Sequence, residues 1–185
     1  MDLTIEGEIT GNYNMKLLIH ACCADCVLKF LESKSEKKWE EMAVYYYNPN
    51  IQPRSEYLSR LKAIQKVLEN KKVKLIIPDW SPREYFEVVK TEKGRCVKCW
   101  NLRLGKTAEY ARKNGFEYFS STLVTSQYQN RKMIEAIADK LVTEKGVKFF
   151  VPKKVCCDLK TAGFYKQFYC GCAYSLKERF EEKYK

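Results

Sequence analysis

Cysteine sets the chemistry open to this chain: nine cysteines stand among 185 residues, beside a single histidine. Seven of the nine fall into three tight groups, namely Cys22, Cys23 and Cys26, then Cys96 and Cys99, then Cys170 and Cys172. In a secreted scaffold such groups would be disulfides. The first residues, MDLTIEGEITGNYN, are instead polar and acidic, without the basic start and apolar stretch of a secretory signal, and the cysteine count is odd. The expectation is a cytoplasmic protein, free of disulfides, whose clustered thiols serve as metal ligands or redox groups. One tetrahedral zinc takes four ligands, so seven thiols exceed a single zinc site. They are enough for a 4Fe–4S cluster with three protein ligands and a second metal held by the other four, and an open iron is a place that substrate can reach.

The spacing refines this. Adjacent Cys22 and Cys23 point different ways in an extended or turning segment, and so suit two metals or two atoms of one cluster. Cys26 follows Cys23 by three positions, the spacing at which a turn or helix start brings two sulfurs to one centre. Cys96-Val97-Lys98-Cys99 repeats that spacing. In Cys170-Gly171-Cys172 the glycine lets the backbone bend so that both sulfurs converge. A single C-x-x-C could be a redox pair or chance, but three cysteine groups in one chain argue for metal over inert buried thiols.

Cys156 and Cys157 read as small buried hydrophobes. Asp158 beside them is a candidate proton donor or oxygen ligand, against the turn or cap role usual for such an Asp. His20, next to the first group, is either a hydrogen-bonded core residue or a proton-transfer and supporting group. Tyr45, Tyr46, Tyr47, Tyr165, Phe168 and Tyr169 are core aromatics by default, of which one or two could stack on a nucleobase.

The elements that must position these residues alternate. Strands are expected at 16–20, 42–47, 73–77, 116–124 and 147–151. Between them lie helices from about Cys26 to Trp39, over 55–70 with Leu58, Leu61, Ile64 and Leu68 on one face, from Pro82, over 100–113 and over 127–144. Ser81-Pro82-Arg83-Glu84 reads as a capping box. A short last helix covers Ser175–Tyr184. Residues 1–14 form an arm, and 15–185 one Rossmann-like α/β domain with a mostly parallel five-stranded sheet and helices on both faces. Sites in such folds lie beyond the carboxyl ends of the strands. The first strand ends at His20, so His20-Ala21-Cys22-Cys23 occupies the place of a phosphate-binding glycine loop. No glycine is present there, which argues against an ATP or dinucleotide site.

Composition adds a partner class. Lys and Arg number 34 against 23 Asp and Glu, a net charge of +11. That balance suits a polyanion such as RNA, or else a solvated basic surface. No apolar run approaches the roughly 20 residues of a membrane span.

The pattern His20-x-Cys22-Cys23-x-x-Cys26, Asn48-Pro49-Asn50-Ile51 with Glu56-Tyr57, Arg95-Cys96-x-x-Cys99, Ser121-Thr122-Leu123 and Tyr169-Cys170-Gly171-Cys172 resembles the QueH family over residues 16–176. The resemblance implies cobalamin-independent reduction of epoxyqueuosine to queuosine at the wobble position of tRNA. It implies a 4Fe–4S cluster beside a single metal ion, expected to be iron, with both held by Cys22, Cys23, Cys26, Cys96, Cys99, Cys170 and Cys172 in a division left open. A monomer served by an electron-donor protein or other reductant is expected, with Asp158 and His20 as catalytic candidates. The chain departs from the family at Asp25 and Gln127, where proline is usual, and at Asp158-Leu159-Lys160, where Asp-Phe-Arg is usual. Two other readings stand beside this one. They are a non-catalytic zinc- or iron-binding RNA module and a tRNA sulfur-transfer enzyme on a similar fold, the latter disfavoured by the missing glycine loop.

Overall fold

A computed structural model describes residues 15–33, 37–126, 129–153 and 165–183. Five short apolar segments form strands: β1 (Lys16–His20), β2 (Glu41–Tyr45), β3 (Lys74–Ile76), β4 (Tyr118–Ser121) and β5 (Lys148–Phe149). All pair in parallel, in the order β3-β2-β1-β4-β5. The expected Rossmann-like α/β class is therefore found, and every strand pairing is parallel. Six helices connect and follow the strands: α1 (Ala24–Leu31), α2 (Arg54–Leu68), α3 (Pro82–Val88), α4 (Arg95–Lys113), α5 (Arg131–Lys145) and α6 (Ala173–Lys183). No helix among the described residues is long and apolar enough to cross a membrane.

Strand periodicity explains the two-sided core. Leu18, Ala43, Tyr45 and Phe119 turn to one face and pack against Leu104 and Ala108 of α4 and Ile134 and Ile137 of α5. Val44 and Tyr46 belong to the other face, with Val27 of α1 and Ile64 and Val67 of α2. Leu17 and Leu18 are wholly buried, and each such side chain contributes about 1.5–3 kcal/mol of hydrophobic stabilisation. Gly146, at positive φ, ends α5 where the chain turns into β5.

Three differences from the sequence reading have physical causes. Leu58 of α2 is 40% exposed, while Glu56 and Arg60 are buried on that helix. The two side chains neutralise each other, with Arg60 Nε donating to Glu56 Oε1 at 2.5 Å, so a charged pair occupies a place that periodicity gives to leucine. Ser81 precedes α3 without a side-chain cap bond. Glu84 is drawn elsewhere, accepting from Tyr47 Oη at 2.9 Å and pairing with Lys106 at 3.2 Å. Finally, α4 begins at Arg95 rather than near residue 100, so Cys96-x-x-Cys99 is the first turn of a helix.

Topology carries these groups to one rim. Strand β1 lies between β2 and β4, which places the reversal of strand order beside it. Ligand sites of parallel α/β sheets form at that reversal, outside the carboxyl ends of the strands. The first cysteine group follows β1 there. Helix α4 runs back toward β4, so its first turn starts at the same rim.

Candidate functional site

The first thiol group is built by β1 and the start of α1. Backbone N–H of Ala21 donates to Tyr45 O at 3.0 Å, continuing the sheet one residue past β1. Cys23 is extended and takes the N-cap position of α1. Cys22 and Cys26 are buried and Cys23 is half-buried. The Cys22 thiol is hydrogen-bonded with both Cys23 and Cys26, which pushes its pKa well down. The same hydrogen bond from Cys22 raises Cys23 to about 12, and that from Cys22 also raises Cys26. One sulfur of the three is therefore biased toward thiolate. From the far side of the reversal, Thr122 Oγ1 lies 3.9 Å from Cys22 Sγ and Thr125 Oγ1 donates to Cys26 O at 3.5 Å.

The second group joins α4 to the segment before α6. Cys99 is buried on α4, while Cys96 is exposed. Burial raises Cys99 to about 11, and partial desolvation of its sulfur raises Cys96 as well. Cys170 Sγ lies 3.5 Å from Cys172 Sγ. The hydroxyl and the backbone N–H of Ser175 both approach Cys172 Sγ at 3.4 Å. The hydrogen bond from Cys170, then those of Ser175 and Tyr85, bring Cys172 down to about 5, and Cys170 is raised in return. Cys22 and Cys172 are thus the two thiols driven toward thiolate, whereas Cys96 and Cys99 are both raised.

Arg60 fastens this last segment. It is 4% exposed. Its Nη1 donates to Cys170 O at 3.2 Å and its Nη2 to Tyr169 O at 3.1 Å, with the guanidinium over the Tyr169 ring at 5.5 Å. Tyr165 Oη donates to the other oxygen of Glu56. Gln52 N donates to Gly171 O at 2.9 Å. Gly171 has φ +101°, and a Cβ there would stand 3.1 Å from Arg60 Cζ and from Ile51 Cγ1. Only glycine both adopts that conformation and admits the guanidinium so closely.

Two cavities adjoin at this rim. A narrow one of about 70 Å³ is lined by Cys22, Cys23, Cys26, Arg60 and Tyr165, and a larger one of about 480 Å³ by Cys96, Cys99, Cys172, Tyr85, Trp100 and Phe168. Arg103, Gln129, Tyr169 and Cys170 line both. The three cysteine groups are thus brought together, and all seven of these thiols are free. Phe168 is 60% exposed at the larger cavity. Trp100 Nε1 donates to Gln129 Oε1 at 2.9 Å. Asp25 pairs with Lys29 at 3.0 Å and with Lys166 at 3.6 Å, linking α1 to the last segment.

Sequence reasoning did not single out Arg103, whose signal was its position four residues after Cys99. It is 3% exposed. Its Nη2 donates to Asn48 Oδ1 at 2.8 Å, its Nε to His20 Nε2 at 3.3 Å, and its Nη1 approaches Cys99 Sγ at 3.9 Å. Asn48 Nδ2 in turn donates to Ala21 O at 2.7 Å. The His20 ring is held on both sides, with Nδ1 2.8 Å from Ser121 Oγ and Nε2 also 3.2 Å from Tyr47 O. Burial, then the Arg103 charge, lower the His20 pKa to about 3. His20 is fully buried and neutral behind the site, an orienting partner of Arg103. Asp158, Cys156, Cys157 and Gln127 lie outside the described residues.

The donor set can be tested against a thiolate-held metal group. As the side chains stand, no three Cys, His, Asp or Glu among the described residues are grouped to hold an ion. The electrostatics do fit such a group. Arg103 is a buried cation that forms no ion pair with a carboxylate among the described residues. An uncompensated buried charge costs several kcal/mol, and the surrounding groups able to become anions are thiols. The carboxamide of Asn50 is likewise buried with neither polar atom hydrogen-bonded, in the loop between Asn48 and Ile51.

Similarity to known proteins identifies the family. The family model described as epoxyqueuosine reductase QueH matches residues 17–178. A protein named epoxyqueuosine reductase QueH from Dehalococcoides mccartyi is 41% identical over 177 residues, covering 89% of this chain and 94% of that protein. One of the same name from Thermotoga maritima is 36% identical over 183 residues, covering 90% and 93%. Another from Histophilus somni is 30% identical over 186 residues, covering 92% and 76%. By the length of the family match and by these identities, the chain belongs to the epoxyqueuosine reductase QueH family.

Proposed function

We propose that this protein reduces the epoxide of epoxyqueuosine, carried on tRNA, to the alkene of queuosine. The observation that carries the reading is the convergence of seven free thiols on two adjoining cavities around one buried, carboxylate-free guanidinium. The reaction consumes two electrons and two protons, and the epoxide oxygen leaves as water. A 4Fe–4S cluster and a second metal ion, held by Cys22, Cys23, Cys26, Cys96, Cys99, Cys170 and Cys172, would supply single electrons and a Lewis acid for the epoxide oxygen.

The chain's own residues supply the remainder. The larger cavity offers aromatic faces, Trp100, Tyr169 and exposed Phe168, of the kind that hold an unstacked base. Tyr169 lines both cavities, and burial lifts its phenol to about 12, so Oη carries a proton at neutral pH. That hydroxyl can protonate a departing oxygen. His20, neutral and enclosed, holds Arg103 instead of exchanging protons. The net charge of +11 favours a phosphate-rich substrate.

The test is anaerobic reconstitution with ferrous iron and sulfide, then incubation with epoxyqueuosine-containing tRNA and a chemical reductant. The expected result is a brown protein with about four or five irons per chain and loss of one oxygen from the nucleoside by mass. A colourless zinc protein that leaves the nucleoside unchanged would identify a metal-stabilised RNA-binding module instead.

A further inference from the structure

Arg103 is the one charged side chain that borders both cavities besides serving neither α-helical pairing nor a surface contact. Its two hydrogen-bond acceptors at Asn48 and His20 are uncharged, and the third neighbour is Cys99 Sγ. The charge of the guanidinium also reaches Cys22 in the first thiol group and Cys170 on the shared wall. Its orientation is fixed from the sheet. Asn48 is tied to Ala21 O, and His20 is tied to Ser121 Oγ, so the cradle is anchored to the ends of β1, β2 and β4.

Burial makes this placement consequential. A cation in a poorly hydrated interior acts over several ångströms with little screening. Beside a group that gains an electron it favours the more negative, reduced form. Hydrogen bonds and charges around thiolate sulfurs set the potentials of the metals they hold.

We propose that Arg103 is a shared positioning residue, whose single positive charge, held between the two thiol groups by Asn48 and His20, raises the electron affinity of both at once. The inference rests on the metal-binding reading above. The step it governs is one-electron reduction of iron(III) to iron(II), with the electron from an external reductant such as dithionite and no bond made or broken in Arg103.

The experiment compares wild type, Arg103→Met, Arg103→Lys and Asn48→Asp. Each chain is reconstituted anaerobically with ferrous iron and sulfide, and titrated with dithionite under electron paramagnetic resonance and visible absorption. Arg103→Met removes the charge, and every iron signal is expected to shift to lower potential. Arg103→Lys keeps the charge and stays near wild type. Asn48→Asp sets a carboxylate against Nη2 with the guanidinium still in place, and the same downward shift is expected without emptying the site. An unmoved potential in both Arg103→Met and Asn48→Asp overturns the inference alone, as does a shift confined to one of two resolved signals. A fall in Arg103→Lys as large as in Arg103→Met also overturns it, because shape and not charge would then be responsible. A wild-type chain that takes up no iron overturns the metal-binding reading and this inference together.

Discussion

The two halves of the thiol site are positioned by different means. Cys22, Cys23 and Cys26 sit where a buried strand becomes a helix, and backbone pairing of Ala21 with Tyr45 sets their place. Cys170 and Cys172 follow no strand directly. Their segment is held by side chains of distant residues, chiefly Arg60, Glu56 and Gln52. The first half is a product of sheet topology, whereas the second depends on a few polar contacts. A change in the second half should therefore loosen part of the site while the sheet survives.

The largest effect expected is chemical. Cys22→Ser and Cys172→Ser, which remove the two acidic thiols, should each abolish turnover in the tRNA assay with little change in circular dichroism. Full activity in either variant removes that residue from the site. Next comes Arg60→Met. Removing one partner of a buried ion pair costs about 3–5 kcal/mol, to be read as a lowered urea midpoint. Bound iron should fall with it, because Tyr169 and Cys170 lose their fastening. A midpoint within error of wild type would show that the second half is not held through Arg60.

Gly171→Ala tests the same half more gently. The positive φ costs a residue with a Cβ about 1–2 kcal/mol, and the contact with Arg60 adds to that. The loss should appear in urea unfolding and in faster loss of iron to a chelator. The smallest effect belongs to Gln52→Ala, which gives up the bond from Ala173 N to Gln52 Oε1 at 3.3 Å and should cost about 1 kcal/mol. A matched change on the first half, Thr125→Ala, is expected to leave iron content unaltered.

The halves also differ in how far sequence reveals them. The strand run Lys16–His20 and the thiols after it are local, so the apolar pattern and spacing located them directly. The parallel sheet followed from the alternation of elements, and the gathering of the cysteines followed from the sheet's rim. The supports of the second half stayed hidden because their meaning is tertiary. Glu56 and Arg60 look like an ordinary surface pair four residues apart, and only docking of residues 165–172 turns them inward. Arg103 looks like one more cation on a basic helix. The sequence pattern starts this helix only at residue 100, although a three-residue spacing is also helical and Gly94 marks the break before it.

Chain order gives the pinning of residues 165–172 a kinetic meaning. Every strand, and both Cys22–Cys26 and Cys96–Cys99, precede Tyr169 in the polypeptide. During synthesis the amino-terminal part of a chain emerges first. A nascent chain stalled after Phe149 already carries all five strand sequences but lacks the shared wall formed by Tyr169 and Cys170. Site assembly is thereby reserved for polypeptides that have been read as far as Cys172.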